Sequence, residues 1–435
     1  VTAADPTHVA IETVWRMESA RVIAGLSRFT NDVATAEELA QDALVAALEQ
    51  WPRDGVPDNP GAWLMATAKH RAIDAYRRRA RYDEKLREVG RGLTDVDAPE
   101  LDHVGDDLLT LIFMACHPVL PTEARVALTL RLFGGLTTAE TAHALLVPES
   151  TVAQRIVRAK KALTGVRFEL PEPPELAERL ASVLEVVYLI FNEGYAATAG
   201  DDWMRPALCE EALRLGRVLA GLAPMEPEVH GLLALMEIQA SRTRARTGPD
   251  GTPVLLLDQD RRQWDRLLIR RGLAALAEAE RLSRSSTLES FQSRPSLDSF
   301  QIGQTGLGPY TLQAAIAACH ARAVTAADTD WAGIAALYAL LGKVSPSPIV
   351  ELNRAVAVAR ADGPTRGLEV VDAVREDRAL IGYALLPAVR GDLLAKLGRV
   401  AEARAEFERA ASLTRNARER TMFLDRAANI DRSAG

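Results

Sequence analysis

An all-α fold is what this sequence predicts, with two small helical domains, an acidic linker between them and a long helical region after them. Three observations predict it. The composition leans on Ala, Leu and Arg, residues that lose little on entering a helix. Apolar residues return at helical spacing over long stretches. The stretches are separated by short runs of Pro, Gly and Asp, which punctuate helices.

The bulk properties set the frame. A chain of 435 residues exceeds what one core usually organises, so two to four domains are expected. A hydrophobic fraction of 48% suits a soluble globular protein. No apolar run approaches the roughly 20 residues of a membrane span, and the N-terminus lacks a basic, apolar, small-residue leader pattern. A cytoplasmic protein without a membrane partner is therefore expected. The three cysteines, Cys116, Cys209 and Cys319, are odd in number and widely spaced, which suggests buried thiols rather than a disulfide framework.

From Val9 to about Trp51, Ile11, Val14, Trp15, Val22, Ile23, Leu26, Leu39, Ala43, Leu44 and Leu48 recur at helical spacing and are expected in a core. "WPRDGVPDNPGA" reads as a loop, and Asn59-Pro60 as the start of a helix bearing Trp63, Leu64, Ala68, Ile73 and Tyr76. The first domain is placed at residues 8–81. Residues 82–107 lose periodicity and turn acidic, with Asp95, Asp97, Glu100, Asp102, Asp106 and Asp107, and are expected to be a linker. Fully extended, such a segment reaches roughly 80 to 90 Å. Helices resume in a second domain, 108–168, and "ELPEPPEL" marks its end because clustered prolines cannot continue a helix.

The remainder, 175–430, is helical with a different pattern. Near its end Ala403, Phe407 and Ala410 have the small, aromatic, small spacing of a tetratricopeptide helix pair, with Gly391 where the preceding helix needs a small residue. Tyr338 and Pro346 hold corresponding places about two 34-residue repeats earlier. Residues 283–308, with the near-duplicate "LESFQ" and "LDSFQ" among Ser, Gln and Gly, are expected to form an inserted loop.

Enzymatic chemistry finds little support. There is no Gly-rich phosphate loop, nucleophile elbow, helical His-Glu-x-x-His or Cys-x-x-Cys. Cys116-His117 and Cys319-His320 could supply four zinc ligands, but neighbours on a helix diverge by about 100°, and buried core residues are the expectation. No enzyme activity, cofactor or metal is predicted.

Charge is more informative. The net charge is −7, yet phosphate binding depends on local charge on one face rather than on the sum. Two stretches are locally basic: "KHRAIDAYRRRARYDEK", and a later one with Arg155, Arg158, Lys160, Lys161 and Arg167. The second closes "LTTAETAHALLVPESTVAQRIVRAKKAL", two helices around a tight break. Thr137 or Thr138 can cap the first helix, and Pro148 suits the first turn of the second. Val152, Ile156, Ala159 and Leu163 form a core-facing stripe, while Ser150, Thr151, Gln154, Arg155, Arg158 and Lys161 present groups that bond base edges and phosphates in a major groove. This is a helix-turn-helix pattern. A solvated amphipathic helix is the plainer reading of either half alone. Trp51, Trp63 and Tyr76 near the first basic stretch suit capture of unstacked bases, although Trp63 fits a core equally well.

With these parts in order, "AEELAQDALVAALEQW", "NPGAWLMATAKHRAIDAYRRR", the acidic segment and "ARVALTLRLFGGLTTAETAHALLVPESTVAQRIVRAKKAL" resemble the extracytoplasmic-function (ECF) sigma factors of the sigma-70 family. "VVYLIFNEGY", "LCEEALRLGRVLAGL", "GPYTLQAAIAACHA" and "PSPIVELNRAVAVA" resemble the subgroup with a long tetratricopeptide-like C-terminal extension. The resemblance implies that 8–81 is sigma region 2 and 108–168 is region 4. It implies that Glu38, Leu39, Gln41 and Asp42 contact core RNA polymerase at the β′ clamp helices, with the β flap as a further contact. Asn59, Trp63, Lys69, His70, Arg71, Arg77 and Arg78 would recognise and melt a minus 10 element. Many relatives have Arg-Asn in place of Lys69-His70. Ser150, Thr151, Gln154, Arg155, Arg158 and Lys161 would read minus 35 in promoter DNA. The acidic linker would thread towards the polymerase channels. The C-terminal region would govern sigma activity. Separately, "FNEGYAATAGDD" (191–202), the most polar break in an apolar setting, is a candidate for touching the sigma domains, with a helix end and loop as the plainer reading. Two other classes are weighed against the sigma reading. A helix-turn-helix regulator with a tetratricopeptide sensor needs no clamp-binding or minus 10 module, and a plain helical-repeat scaffold leaves both basic stretches unexplained.

Overall fold

The computed structural model describes residues 6–86, 104–134, 136–145, 147–196, 204–248, 252–293, 306–414 and 416–430. Among them the only strand-like feature is an isolated bridge between Thr247 and Pro253. Contacts divide the chain into two compact units, Val1–Leu189 and Ile190–Gly435.

The first unit starts with α1 (Pro6–Thr30) and α2 (Val33–Asp54). They are separated by a sharp reversal: Asn31 has a left-handed φ of 51°, and the Asp32 carboxylate accepts the N–H groups of Ala34 and Thr35. Asn is one of the few non-glycine residues that takes this backbone cheaply, and Asp caps the helix that follows. α3 (Pro60–Leu86) packs on both. Ile11, Val22, Ile23 and Leu26 of α1 are buried, as are Ala36, Ala40, Ala43 and Ala47 of α2 and Leu64 and Ala68 of α3. Alanines along α2 let the helices approach closely. Leu48 departs from the expectation. It is exposed, because four residues on from Leu44 the face has rotated past the α1 and α3 contacts.

The presumed linker is helical at both ends. α3 runs to Leu86, and α4 (Val104–Ala115) takes in Asp106 and Asp107 as the acidic first turn that favours a helix N-terminus. Residues 87–103, with Asp95, Asp97, Glu100 and Asp102, lie outside the described residues. After α4 come α5 (Thr122–Leu132), α6 (Thr138–Leu145) and α7 (Glu149–Leu163). The Cys116 thiol faces the Thr129 hydroxyl at 3.4 Å, and burial pushes its pKa up to about 12. It is an inert core thiol. The long helix α8 (Pro173–Tyr195) opens on Pro173-Pro174, which suit a first turn. Its residues up to 189 belong to this unit: Arg179 donates to the Phe113 carbonyl, and the Ser182 hydroxyl to that of Cys116 at 2.6 Å. The boundary given by contacts therefore falls inside α8, later than the proline-rich segment suggests.

The second unit continues from residue 190 through α9 (Pro206–Leu222), α10 (Pro227–Ala240), α11 (Arg266–Ser293) and α12 (Pro309–Arg322). α10 is buried on nearly every side, because α9, α11 and α12 all pack on it. Then follow α13 (Trp331–Val344), α14 (Pro348–Ala361), α15 (Pro364–Val374), α16 (Leu385–Lys396), α17 (Val400–Leu413) and α18 (Ala417–Asn429), each packing on the next. Ala403, Phe407 and Ala410 are buried. A Cβ on Gly391 would stand 3.1 Å from the Phe407 ring and 3.2 Å from the Ala403 carbonyl, so a side chain there would have to push α17 back by a few tenths of an ångström. The expected loop at 283–308 is corrected in its first part: α11 continues as helix to Ser293, with Ser283 buried and its hydroxyl donating to the Ala279 carbonyl. The composition misled because Ser can satisfy itself on the helix backbone. Residues 294–305 lie outside the described residues.

Candidate nucleic-acid interface

The two-helix element is built as its sequence dictates. The Thr137 hydroxyl accepts the Glu140 N–H at 3.1 Å while the Glu140 carboxylate accepts the Thr137 N–H at 2.7 Å, a reciprocal capping box. Pro148 sits one place earlier than expected, as the residue before the first turn of α7, where its φ of −57° directs the chain into the helix. Val152, Ile156, Ala159 and Leu163 are all buried. The opposite face therefore lies outward: Ser150, Gln154, Arg158 and Lys161 are exposed, and Thr151 and Arg155 half-buried. Arg155, Arg158 and Lys161 meet no carboxylate within ion-pair distance among the described residues. Val157 is an exposed apolar residue in their midst.

The first basic stretch is more mixed. Asn59 accepts the Ala62 N–H on its side-chain oxygen at 3.1 Å, so it is the cap of α3. Trp63 is half-buried and meets Trp51 edge to face at 5.4 Å between centroids. That contact fixes the loop from Trp51 to Asn59 against α3. Lys69 is half-buried and His70 exposed; Arg71 reaches Asp42 at 3.6 Å. Arg77 is exposed, and the side chains of Tyr76 and Arg78 lie outside the described residues. The helix α2 presents Glu38, Asp42, Val45 and Glu49 as one exposed stripe, with Leu48 beside it. Gln41 is half-buried and Leu39 buried, so of the four residues anticipated as a contact only Glu38 and Asp42 are fully outward.

Glu37 is the residue the sequence reading missed. It is buried, with 3% of its side chain exposed, yet it carries a carboxylate. One oxygen accepts from Arg131 Nε of α5 at 2.9 Å and from Gln41 at 2.7 Å; the other meets Lys160 Nζ of α7 at 2.7 Å. Arg131 also donates to the Leu136 carbonyl. α2 is thus tied to α5 and α7 by one acid between two cations. Arg28 to Asp107 at 3.3 Å, and the Phe168 N–H to Asn31 at 3.0 Å, join the same halves. A signal existed in the sequence: Glu37 interrupts the apolar row Val33, Ala36, Ala40, Ala43 with a charge at a buried position.

Sequence models of known families match the chain in the same places. Sigma-70 region 2 matches residues 14–82 and sigma-70 region 4 residues 110–163. A family of unknown function, DUF6596, matches residues 179–280. An uncharacterized protein of Rhizobium meliloti is 42% identical over 409 residues, 92% of this chain and 90% of its own. The RNA polymerase sigma-H factor of Pseudomonas aeruginosa is 28% identical over 152 residues, 33% of this chain and 78% of its own. The ECF RNA polymerase sigma-E factor of Haemophilus influenzae is 35% identical over 81 residues, 19% of this chain and 42% of its own.

The chain carries sigma-70 regions 2 and 4, and these with its ECF relatives support an ECF-type sigma factor.

No solved structure matches. As a sigma factor it serves transcription initiation and binds core RNA polymerase and promoter DNA. Region 2 corresponds to α1–α3 and region 4 to α4–α7. No helix among the described residues is long and apolar enough to cross a membrane.

Proposed function

We propose that region 4 reads the minus 35 element through Ser150, Thr151, Gln154, Arg155, Arg158 and Lys161. The observation that carries this is the outward face of α7, where three cations stand without a carboxylate of their own. In region 2, Lys69, His70, Arg71, Arg77 and Arg78 hold the strand at minus 10, and stacking of a captured base is worth about 1 to 3 kcal/mol. Asn59 and Trp63 act there through the loop they fix: Asn59 as cap of α3, Trp63 through Trp51. Glu38 and Asp42, with Gln41 half-buried beside them, mark the polymerase-facing side of α2, Leu39 packing beneath it, and the exposure of Val45 and Leu48 extends that side with an apolar centre.

Reading two elements on one duplex requires region 2 and region 4 to separate. The Glu37 contact to Arg131 and Lys160 then has to open, and binding of polymerase to α2 is what opens it. The C-terminal region regulates this step. Its successive helix pairs, with Gly391 against Phe407 and a Cβ on Gly367 only 2.4 Å from Ala359, support a tetratricopeptide-like stack, an architecture that makes concave protein-binding surfaces. A helix-turn-helix regulator without sigma activity has no use for region 2.

Run-off transcription with core polymerase and a candidate promoter tests the proposal, using the full chain and a version ending at Leu189. The later end point keeps the part of α8 that covers α4 and α5. Promoter-specific transcripts from the full chain are expected; transcripts from neither chain would defeat it. Arg155→Ala should cost about 1 to 3 kcal/mol of minus 35 discrimination. An unchanged preference would move base reading to another residue of α7.

A further inference from the structure

Within the second unit, three arginines are buried close to the end of α10: Arg242, Arg246 and Arg261, with 6%, 7% and 8% of their surface exposed. A guanidinium keeps its charge in any protein environment, so each is a cation taken out of water. The groups that Arg242 and Arg261 contact among the described residues are neutral. Arg246 donates to the Tyr195 carbonyl and lies over its ring. Arg261 donates to the carbonyls of His320 and Ala323 at 2.6 and 2.7 Å and to the Thr329 hydroxyl at 3.2 Å. Arg242 sits 5.8 Å from the Trp264 ring centre and 6.0 Å from that of Tyr195.

Neither Arg242 nor Arg261 meets a carboxylate within ion-pair distance among the described residues. Nearby acids are spent elsewhere. Asp260 takes the neighbouring, exposed Arg262 in a two-pronged pair, which holds its pKa down at about 2. Asp328 accepts the Thr325 hydroxyl at 2.8 Å, and its charge reaches Arg261 without contact. Glu237, five residues before Arg242, lies between Arg217 and Arg271 at 3.0 and 3.1 Å.

A second observation is independent of charge. Arg242 Nε, Arg261 Nε and Trp264 Nε1 are buried and have no acceptor. Both guanidinium groups lie over the one indole, Arg261 at 4.8 Å. Three unmet needs around a single ring are all for an acceptor, in a place where no carboxylate among the described residues comes within ion-pair distance of Arg242 or Arg261 and Asp328 acts on Arg261 only from further off. The aromatic rings cover guanidinium faces, and the in-plane N–H edges are the part with which arginine grips an oxyanion.

We propose that the DUF6596 portion of this sigma factor binds a small oxyanion, a phosphate or carboxylate group, at Arg242, Arg261 and Trp264. The site neutralises the buried cations and satisfies their donors at once, and it makes the second unit responsive to a ligand. Nothing in this requires the promoter contacts proposed above.

The test is isothermal titration and thermal unfolding of the full chain with inorganic phosphate and, separately, citrate, against sodium chloride at equal ionic strength. Either oxyanion should raise the midpoint by about 5 °C or more near saturation, and the responding one distinguishes phosphate from carboxylate. Arg242→Met and Arg261→Lys should each weaken binding by about tenfold or more, while Arg375→Met, at an exposed pair, leaves it unchanged. Two variants guard against a folding failure in one. No response beyond chloride to either oxyanion, or a response retained in both variants, overturns the proposal. So does a response that appears only in the Asp201→Asn, Asp202→Asn double variant, since the chain's own acids, which lie outside the described residues, would then be the counter-charge.

Discussion

Glu37 in the sigma unit and Arg242 in the C-terminal unit are buried to a similar degree, and the chain treats the two charges in opposite ways. Glu37 has two cations and an amide on its carboxylate. Arg242 has two aromatic rings and a second buried arginine nearby, but no acid among the described residues. Glu237 shows that the C-terminal unit can also build the balanced arrangement. Burial therefore does not dictate pairing here. A paired charge specifies which helices meet, whereas an unpaired one leaves a requirement for something else to meet.

The largest effect expected from this contrast is at Glu37. Glu37→Ala should destabilise the sigma unit by about 3 kcal/mol, towards the low end for a broken buried pair because Arg131 and Lys160 are 24% and 22% exposed and can turn to solvent. Urea unfolding followed by tryptophan fluorescence measures it. A change under about 0.5 kcal/mol would mean that packing of α1 on α4, not the ion pair, joins the regions.

Next is a pH effect around the unbalanced cluster. Burial, then the charges of Arg242 and Arg261, lowers the His320 pKa from 6.5 to about 4. The unfolded chain takes up this proton as pH drops below 6.5, and the folded chain does so only near 4. Stability from this residue is thus complete above pH 6.5 and is lost as pH falls towards 4, by about 2 to 3 kcal/mol. His320→Gln should flatten that part of the unfolding profile. A wild-type profile that stays level over this window would show that burial does not hold His320 neutral in the folded chain.

Smaller still, Thr137→Ala should cost about 1 kcal/mol by removing one side of the capping box. It calibrates a purely local contact in the same unit as Glu37, and calorimetry of the two variants side by side separates local from interdomain effects. Last, Arg242→Met in phosphate-free buffer should change stability by less than about 1 kcal/mol, because the lost ring contacts are offset by relief of a desolvated charge. A loss matching that of Glu37→Ala would make the arginine a strut of the core.

The same contrast explains what could be read in advance. Helical spacing placed the α7 stripe from Val152 to Leu163, and capping chemistry placed Thr137, because both are local rules with one strong solution. Leu48 defeated the spacing rule, since it had no way to know where the partner helices end. The Ser-rich stretch after Ser283 defeated composition for a related reason: a helix tolerates Ser when its hydroxyl can return to the backbone. Glu37 and Arg242 were harder. The partners of Glu37 on α5 and α7 lie 94 and 123 positions away, and only the fold brings them together. Arg242 looked like any arginine after a helix, where cations complement the dipole. Of the residues anticipated for promoter contact, those on α7 were legible as a face, while Asn59 and Trp63 turned out to hold α3 and its loop.

The Glu37 contact also bears on time. If polymerase can engage α2 fully only after Lys160 has let go, holoenzyme assembly contains a first-order step that belongs to the sigma chain alone. Mixed with increasing core polymerase in a stopped-flow cell, the full chain should reach a plateau in observed rate. Lys160→Ala should raise that plateau, and a rate rising linearly at every concentration would exclude such a step. The carboxylate of Glu37 would then act as a clock, setting how soon a newly made molecule can compete for polymerase however abundant the polymerase is.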